Sequence, residues 1–290
     1  MIKIALIPAR SGSKRVANKN LLKLDDSGHC LMAYAIRTAI DSKLFDYVFC
    51  SSDCMDYLKI AHEYGAITIK RPFPIYYDLS PDIEWVTHAL DHCHKYYKKL
   101  DDKDVYAIIR PTNPFRQIDT LFRAWAWWQL NEDLDIDSMR AMSDDVKPHP
   151  CKTWRENGGA LVRPFYTEIE DATDQATQRL PHVLGQNGCL EMAYVKTARA
   201  GSTSGKKVLP FMTKGYEGFD INTSLDYEIA KYLMKHCGAE LPKIFKPDMQ
   251  TEFMQYTISQ REIIDTEEMI WKQAGKLVEE VLWKNAVKLA

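Results

Sequence analysis

Short apolar runs alternate with segments of helical spacing along the first part of the chain, and that alternation leaves few folds open. Ile2 to Ile7 is a strand-length apolar run ended by Pro8, which can neither continue a ladder nor donate to it. Leu31 to Ile40 carries apolar residues at helical spacing. Asp46 to Cys50 reads as a second strand running into Ser51-Ser52-Asp53, and Met55 to Tyr64 as a helix closed by Gly65 at its C′ position. Ala66 to Ile69 is a third strand. A helix from about Asp82 to Tyr97, with Ser80 as cap and Pro81 at its first position, precedes a fourth strand from Val105 to Ile109. Strands separated by single helices predict an α/β fold with a doubly wound, mostly parallel sheet, whose ligands lie at the carboxyl ends of the strands. Arg10, Asp53 and Arg71 then fall along one rim.

The pattern continues less evenly. Arg110-Pro111-Thr112-Asn113-Pro114-Phe115-Arg116 is a rigid turn, and the helix after it holds Trp125, Trp127 and Trp128, expected in the core or at a subunit contact. Ile136 to Met142, Cys189 to Val195 and Val208 to Met212 are further strands. Residues 143–185 have weak periodicity, many polar groups and Gly158-Gly159, which predicts strands or an arm outside the central sheet. Gly201 to Lys207 reads as a mobile surface connection. Asp220-Ile221-Asn222-Thr223 leads into a helix from Ser224 to His236. The expected division is a domain over 1–240, with the inserted arm at about 143–185, followed by a linker and an amphipathic helix over 241–290.

The loop after the first strand carries the chemistry. Gly12 between two serines lets backbone amides turn toward an anion, while Arg10, Lys14, Arg15 and Lys19 supply positive charge within one short span. Neither a P-loop nor a dinucleotide fingerprint is present. The net charge of -2, from 38 basic and 40 acidic residues, confines any basic site to a local patch and argues against a nucleic-acid-coating protein. No apolar stretch reaches membrane-spanning length. Seven cysteines without a CxxC pair predict reduced thiols and a cytoplasmic location. His88 and His92 stand one helical turn apart, and Asp135-Ile136-Asp137 spells a DxD triplet. The first lacks a partner glutamate, and the second opens a strand instead of closing one, so neither is read as a metal site.

Ile7-Pro8-Ala9-Arg10 with Gly12-Ser13-Lys14 and Lys19-Asn20 resembles the N-terminal signature of the CMP-sugar synthetases, cytidylyltransferases that activate sialic acid and related nonulosonic acids. Similar motifs recur to about residue 236. The resemblance implies a Rossmann-like nucleotidyltransferase fold, a homodimer supported by the inserted segment, and CTP, an acidic keto-sugar and Mg²⁺ as ligands. It places Ala9, Arg10, Ser11, Gly12, Ser13, Lys14 and Asn20 at the nucleotide, with Arg71 near the cytosine and Ser80 and Thr112 beside them. Arg10, Lys14 and Asp220 are its catalytic residues. Arg110, Asn113, Arg116, Gln178, Arg179 and Asn187 are assigned to the sugar, and Asp220 and Asn222 to the metal, which as a hard cation takes oxygen ligands.

Three positions depart from the family pattern, of which Ala17, in place of a proline, only loosens the loop. Asn222 stands where a second acid is usual, and Arg110 where glutamine precedes Pro-Thr; an added guanidinium there is suited to a carboxylate or phosphate on the acceptor. The implied reaction is transfer of CMP from CTP to the acid's anomeric hydroxyl with release of pyrophosphate. Two other readings stay open: transfer to another acceptor or from another nucleotide, and a non-catalytic nucleotide-sugar binding protein of the same fold.

Overall fold

The computed structural model describes residues 1–77, 79–144, 146–158, 160–164, 169 and 171–247. The amphipathic helix expected from Glu262 onward lies outside the described residues. The element order is β1 (Lys3–Pro8), α1 (Leu31–Asp41), β2 (Tyr47–Ser52), α2 (Met55–Glu63), β3 (Ile67–Lys70), α3 (Asp82–Tyr96), β4 (Val105–Ile108) and α4 (Ile118–Leu130). Then come β5 (Ser138–Ser143), β6 (Trp154–Asn157), β7 (Ala160–Pro164), β8 (Gly185–Tyr194), α5 (Val195–Arg199), β9 (Val208–Met212) and α6 (Ser224–His236).

Seven strands form one sheet in the order β3-β2-β1-β4-β8-β5-β9. Only β8 runs against its neighbours; it is antiparallel to both β4 and β5, and every other adjacent pair is parallel. β6 and β7 make a separate two-stranded antiparallel sheet. The strand order reverses at β1, which pairs with β2 on one side and β4 on the other. A doubly wound sheet opens a crevice at such a point, outside the carboxyl ends of the strands.

Both faces of the sheet are covered, and β1 shows why it reads as a continuous apolar run. Ala5 and Ile7 join a core cluster with residues of α1, α2 and α4, whereas Ile4 and Leu6 join a second cluster with α3 and α5 on the opposite face. Alternation along a strand sends neighbours to opposite sides, so a strand covered twice must be apolar throughout. Trp125 and Trp128 are buried in α4, and Trp127 Nε1 donates to the Pro210 carbonyl at 2.9 Å, tying α4 to β9. Gly65 has φ of 89°, the left-handed geometry that ends α2.

Two local expectations change. Ser80 does not cap α3: Pro81 occupies the cap position, and Ser80 Oγ instead donates to the Pro74 carbonyl at 3.1 Å. The connection 201–207 is tied down. Arg140 Nη2 donates to Thr203 Oγ1 and Ser204 Oγ, and Asp137 Oδ2 accepts from the amides of Lys206 and Lys207. Asp135 pairs with Lys207 at 2.8 Å, so both acids of the DxD triplet serve this loop.

Candidate active site

The loop after β1 is held from below by Asp53, at the end of β2. Asp53 Oδ1 accepts from the Ser11 amide at 2.8 Å and Oδ2 from Ser11 Oγ at 2.6 Å. Burial pushes the Asp53 carboxyl up, but these bonds from Ser11 outweigh it and hold the carboxyl below its ordinary range. Asn20 Nδ2 ties the far end of the loop to the Arg10 carbonyl at 3.1 Å. The loop is therefore a fixed cradle, with one acid spent on its shape.

The opposite wall rises from β4 and β8. The Ile221 amide donates to the Thr112 carbonyl at 2.9 Å and Asn113 Nδ2 to the Phe219 carbonyl at 3.0 Å, so the turn carrying Asp220 and Asn222 is pinned to the turn after β4. Because β8 is antiparallel to β4, with Ile108 opposite Glu191, the start of β8 passes beyond the end of β4 and brings Gln186, Asn187 and Gly188 into the wall. A cleft of about 400 Å³ lies between the two walls.

Arg10, Ser13, Asn20, Arg71, Arg110, Thr112, Asn187, Asp220 and Asn222 line this cleft together. Arg71 is buried, donates through Nε and Nη2 to the Ser51 hydroxyl and carbonyl at 3.1 Å each, and lies 5.0 Å from the Trp85 ring. Burial lowers its guanidinium to about 10, so it stays charged at neutral pH. Lys14 is exposed and not among the lining residues.

Other predicted sugar or nucleotide residues do not line the cleft, Ala9, Ser11, Gly12 and Asn113 among them. Arg116 is only 2% exposed and donates to the carbonyls of Cys189 and Arg110; with both acceptors on the backbone of the turn and of β8, it is a strut under the wall. Gln178 and Arg179 lie on an exposed single turn outside the cleft, next to the small cluster of Cys151, Ala172 and Leu180. Ser80 is occupied as described above. Asn187 reaches the wall, yet its amide is engaged within the protein, donating to Thr213 Oγ1 at 3.1 Å and accepting from the Cys189 amide at 3.1 Å.

The cleft also contains residues with no assignment from sequence: Arg15, Lys19, Asp82, Trp85 and Glu191. Lys19 and Arg15 carried a signal, since they belong to the basic loop. Burial lowers the Lys19 ammonium; Asp220 opposes that shift, while Arg15 and Arg10 add to it. A half-buried ammonium beside two guanidinium groups suits an anion.

Asp220 is the candidate oxygen donor for a divalent ion. Its Oδ2 accepts from Asn222 Nδ2 at 2.7 Å, and its Oδ1 is buried in the cleft without a partner among the described residues. One pinned carboxylate with one unpartnered oxygen fits Mg²⁺, which takes one or two protein carboxylates and completes its shell with phosphate oxygens and water. Asn222, the other expected ligand, has its Oδ1 accepting from Arg15 Nη2 at 3.3 Å and its Nδ2 donating to Asp220 Oδ2. No group of three or more His, Cys, Asp or Glu suited to a metal occurs among the described residues. Asp226 is the N3 acid of the capping box whose N-cap is Thr223, its Oδ2 accepting from the amides of Asn222 and Thr223 at the start of α6.

Residues 4–149 match the family model described as cytidylyltransferase. The chain is 37% identical over 129 residues to the N-acylneuraminate cytidylyltransferase of Escherichia coli O18:K1:H7, covering 44% of this chain and 29% of that protein. It is 32% identical over 133 residues to the bifunctional pseudaminic acid cytidylyltransferase and hydrolase of Helicobacter pylori, 46% of this chain and 24% of that one. These two matches thus span less than a third of either relative. A match at 25% identity to the CMP-N,N'-diacetyllegionaminic acid synthase of Legionella pneumophila runs over 235 residues, 80% of this chain and 96% of that protein. Among solved structures, a CMP:2-keto-3-deoxy-manno-octonic acid synthetase complexed with CTP superposes with a TM-score of 0.55 at 13% identity, over 81% of this chain and 99% of that one, a likeness of fold.

Proposed function

The chain belongs to the cytidylyltransferase family that includes the CMP-sugar synthetases, and we propose that it transfers CMP from CTP to the anomeric hydroxyl of an acidic keto-sugar, with Mg²⁺, releasing pyrophosphate. The observation that carries this reading is that Arg10, Arg15 and Lys19 share one cleft with Asp220, whose buried Oδ1 has no partner among the described residues. In the step, the sugar oxygen forms a bond to the α-phosphorus and the bond from that phosphorus to the β-bridging oxygen breaks. The electron pair leaves with pyrophosphate, and the hydroxyl proton passes to solvent water. Transfer of this kind asks the protein to position and to neutralise.

Arg10, Arg15 and Lys19 would meet the charge that builds on the leaving pyrophosphate, within a loop that Asp53 and Asn20 keep from moving. Asp220 would hold Mg²⁺ through Oδ1; when bound, the ion draws negative charge from the phosphate oxygens. Arg71, rigid between Ser51 and Trp85, offers a fixed donor beside the base. The sugar class follows the relatives, whose names specify N-acylneuraminate, pseudaminic and N,N'-diacetyllegionaminic acids. A homodimer built through residues 143–185 and a cytoplasmic location belong to the same proposal; no helix among the described residues is long and apolar enough to cross a membrane.

The test is pyrophosphate release with each of the four nucleoside triphosphates and Mg²⁺ over a panel of nonulosonic and octulosonic acids. Release with CTP and an acid of this class is expected. CTP binding without release from any pair would favour the non-catalytic reading, which rests on the strapped, neutral Asn222.

A further inference from the structure

Arg110 enters the cleft with two carboxylates already on it. Its Nε donates to Glu191 Oε1 at 2.7 Å, and its Nη2 lies 2.6 Å from the same oxygen and 2.5 Å from Asp82 Oδ2. Glu191 Oε2 pairs with Arg140, which is 3% exposed and anchored on Thr203 and Ser204. Asp82 Oδ1 accepts from Trp85 Nε1 at 2.8 Å. All four carboxylate oxygens are therefore occupied, and the series Asp82, Arg110, Glu191, Arg140 contains two charges of each sign. Arg110 adds a guanidinium to the wall without adding net charge.

The geometry limits what Arg110 can hold. An arginine grips a carboxylate or phosphate best through two parallel N–H bonds, from the Nε and Nη2 edge or from the Nη1 and Nη2 end. Glu191 takes the first edge, and Asp82 shares Nη2 at the second. A third carboxylate placed there would also stand against two of its own sign. What remains is Nη1, which has no hydrogen-bond partner among the described residues. It is a directed donor on a neutralised group, suited to an uncharged oxygen.

We propose that this end of the cleft reads a neutral oxygen of the acceptor, a hydroxyl or an amide carbonyl, through Arg110, and that Glu191 sets this preference as a positioning residue by cancelling and aiming the guanidinium. The proposal deepens the reading of the cleft as a CTP and acidic-sugar site, and rests on it. It replaces the expectation from sequence that Arg110 grips an anion. The acidic groups of both substrates then belong toward Arg10, Arg15 and Lys19.

The first arm of the test needs no acceptor. CTP binding is measured by titration calorimetry at low and moderate salt for the unmodified protein, Glu191→Gln, Asp82→Asn and Glu191→Gln combined with Arg110→Gln. Removing either carboxylate uncovers a positive charge, so CTP should bind about threefold tighter or more at low salt, with the gain shrinking as salt rises. The double variant should return to within about twofold of the starting affinity, as the charges cancel again. Asp82→Asn, at the more exposed end of the series, keeps the test decisive if Glu191→Gln fails to fold. Unchanged CTP affinity in the folded single variants would overturn the cancellation.

The second arm compares kcat/KM for keto-sugar acids that differ at one substituent, carrying an N-acyl group, a hydroxyl or an added carboxylate. The unmodified protein should prefer the neutral pair, and Glu191→Gln should raise the relative kcat/KM of the doubly acidic acceptor about tenfold, mainly through KM. A native preference for the doubly acidic acceptor would overturn the inference. CTP binding that responds as expected, with no turnover of any acid, would instead overturn the proposed reaction while leaving the cancelled charge standing.

Discussion

Asn222 Nδ2 donates a 2.7 Å hydrogen bond to Asp220 Oδ2, so the neutral residue standing where the family commonly has an acid acts as a strap on the acid that remains. Arg15 holds the other end of the same amide at 3.3 Å. Asp220 Oδ1 is left buried, without a partner among the described residues.

Asn222→Asp should therefore convert the strap into a second hard ligand. Two carboxylates so close repel when both are ionised, and a divalent ion relieves that repulsion. We expect tighter Mn²⁺ binding by titration calorimetry, by a factor of about ten, and a lower Mg²⁺ requirement for turnover. Unaltered Mn²⁺ affinity in the folded variant would place residue 222 outside the metal shell.

Arg10→Ala should abolish turnover and leave the fold intact. Arg10 lies on the cleft surface after β1, while the sheet it follows is packed by Ala5 and Ile7 on one face and Ile4 and Leu6 on the other. Loss of one charge-assisted contact to a developing anion is expected to cost about a hundredfold or more in kcat. A folded variant, by circular dichroism and thermal melting, with normal pyrophosphate release would remove Arg10 from the mechanism.

The loop's dependence on Asp53 gives a pH prediction. The folded-state carboxyl sits below its ordinary value of 3.8, so the stability it contributes is fully present above that value and is lost as pH falls through the lower folded one. At neutral pH the bonds to Ser11 are intact. Asp53→Asn keeps the shape but lacks one of the two acceptor oxygens, and KM for CTP should rise about tenfold with kcat less affected and little change in melting temperature. An equal fall in kcat with KM unmoved would show that Asp53 acts on the chemical step.

How far the sequence foretold this arrangement can be argued from single residues. β1, α1 and β2 announced themselves because burial on both faces imposes uninterrupted apolar strands, and amphipathic helices follow at regular distance. The reversal of β8 had no such sign: Cys189 to Val195 is apolar in either direction, and only its partners β4 and β5 determine which way it runs. Glu191 was hidden for that reason, as a lone acid inside an apolar run whose partners, Arg110 and Arg140, lie far away in sequence. Arg116 erred the other way. An arginine in a Pro-rich turn looks like a ligand, yet burial of the turn turned it inward onto the carbonyls of Cys189 and Arg110.

Gly188 packs against both Asn113 and Arg110. A Cβ there would stand 2.7 Å from Asn113 Oδ1 and 3.3 Å from Arg110 Cδ. Asn113 cannot retreat freely, since its Nδ2 is bonded to the Phe219 carbonyl and so holds the turn that carries Asp220. Gly188→Ala should thus destabilise the protein by about 1–3 kcal/mol, the usual cost of overpacking. It should also displace Arg110 from the Glu191 and Asp82 pair, lowering kcat/KM for the acceptor more than affinity for CTP. Thermal melting checks the first consequence and calorimetry with steady-state kinetics the second. A Gly188→Ala protein of unchanged stability would mean that Asn113 is free to move, and with it that the turn bearing Asp220 is held by the Ile221 amide alone.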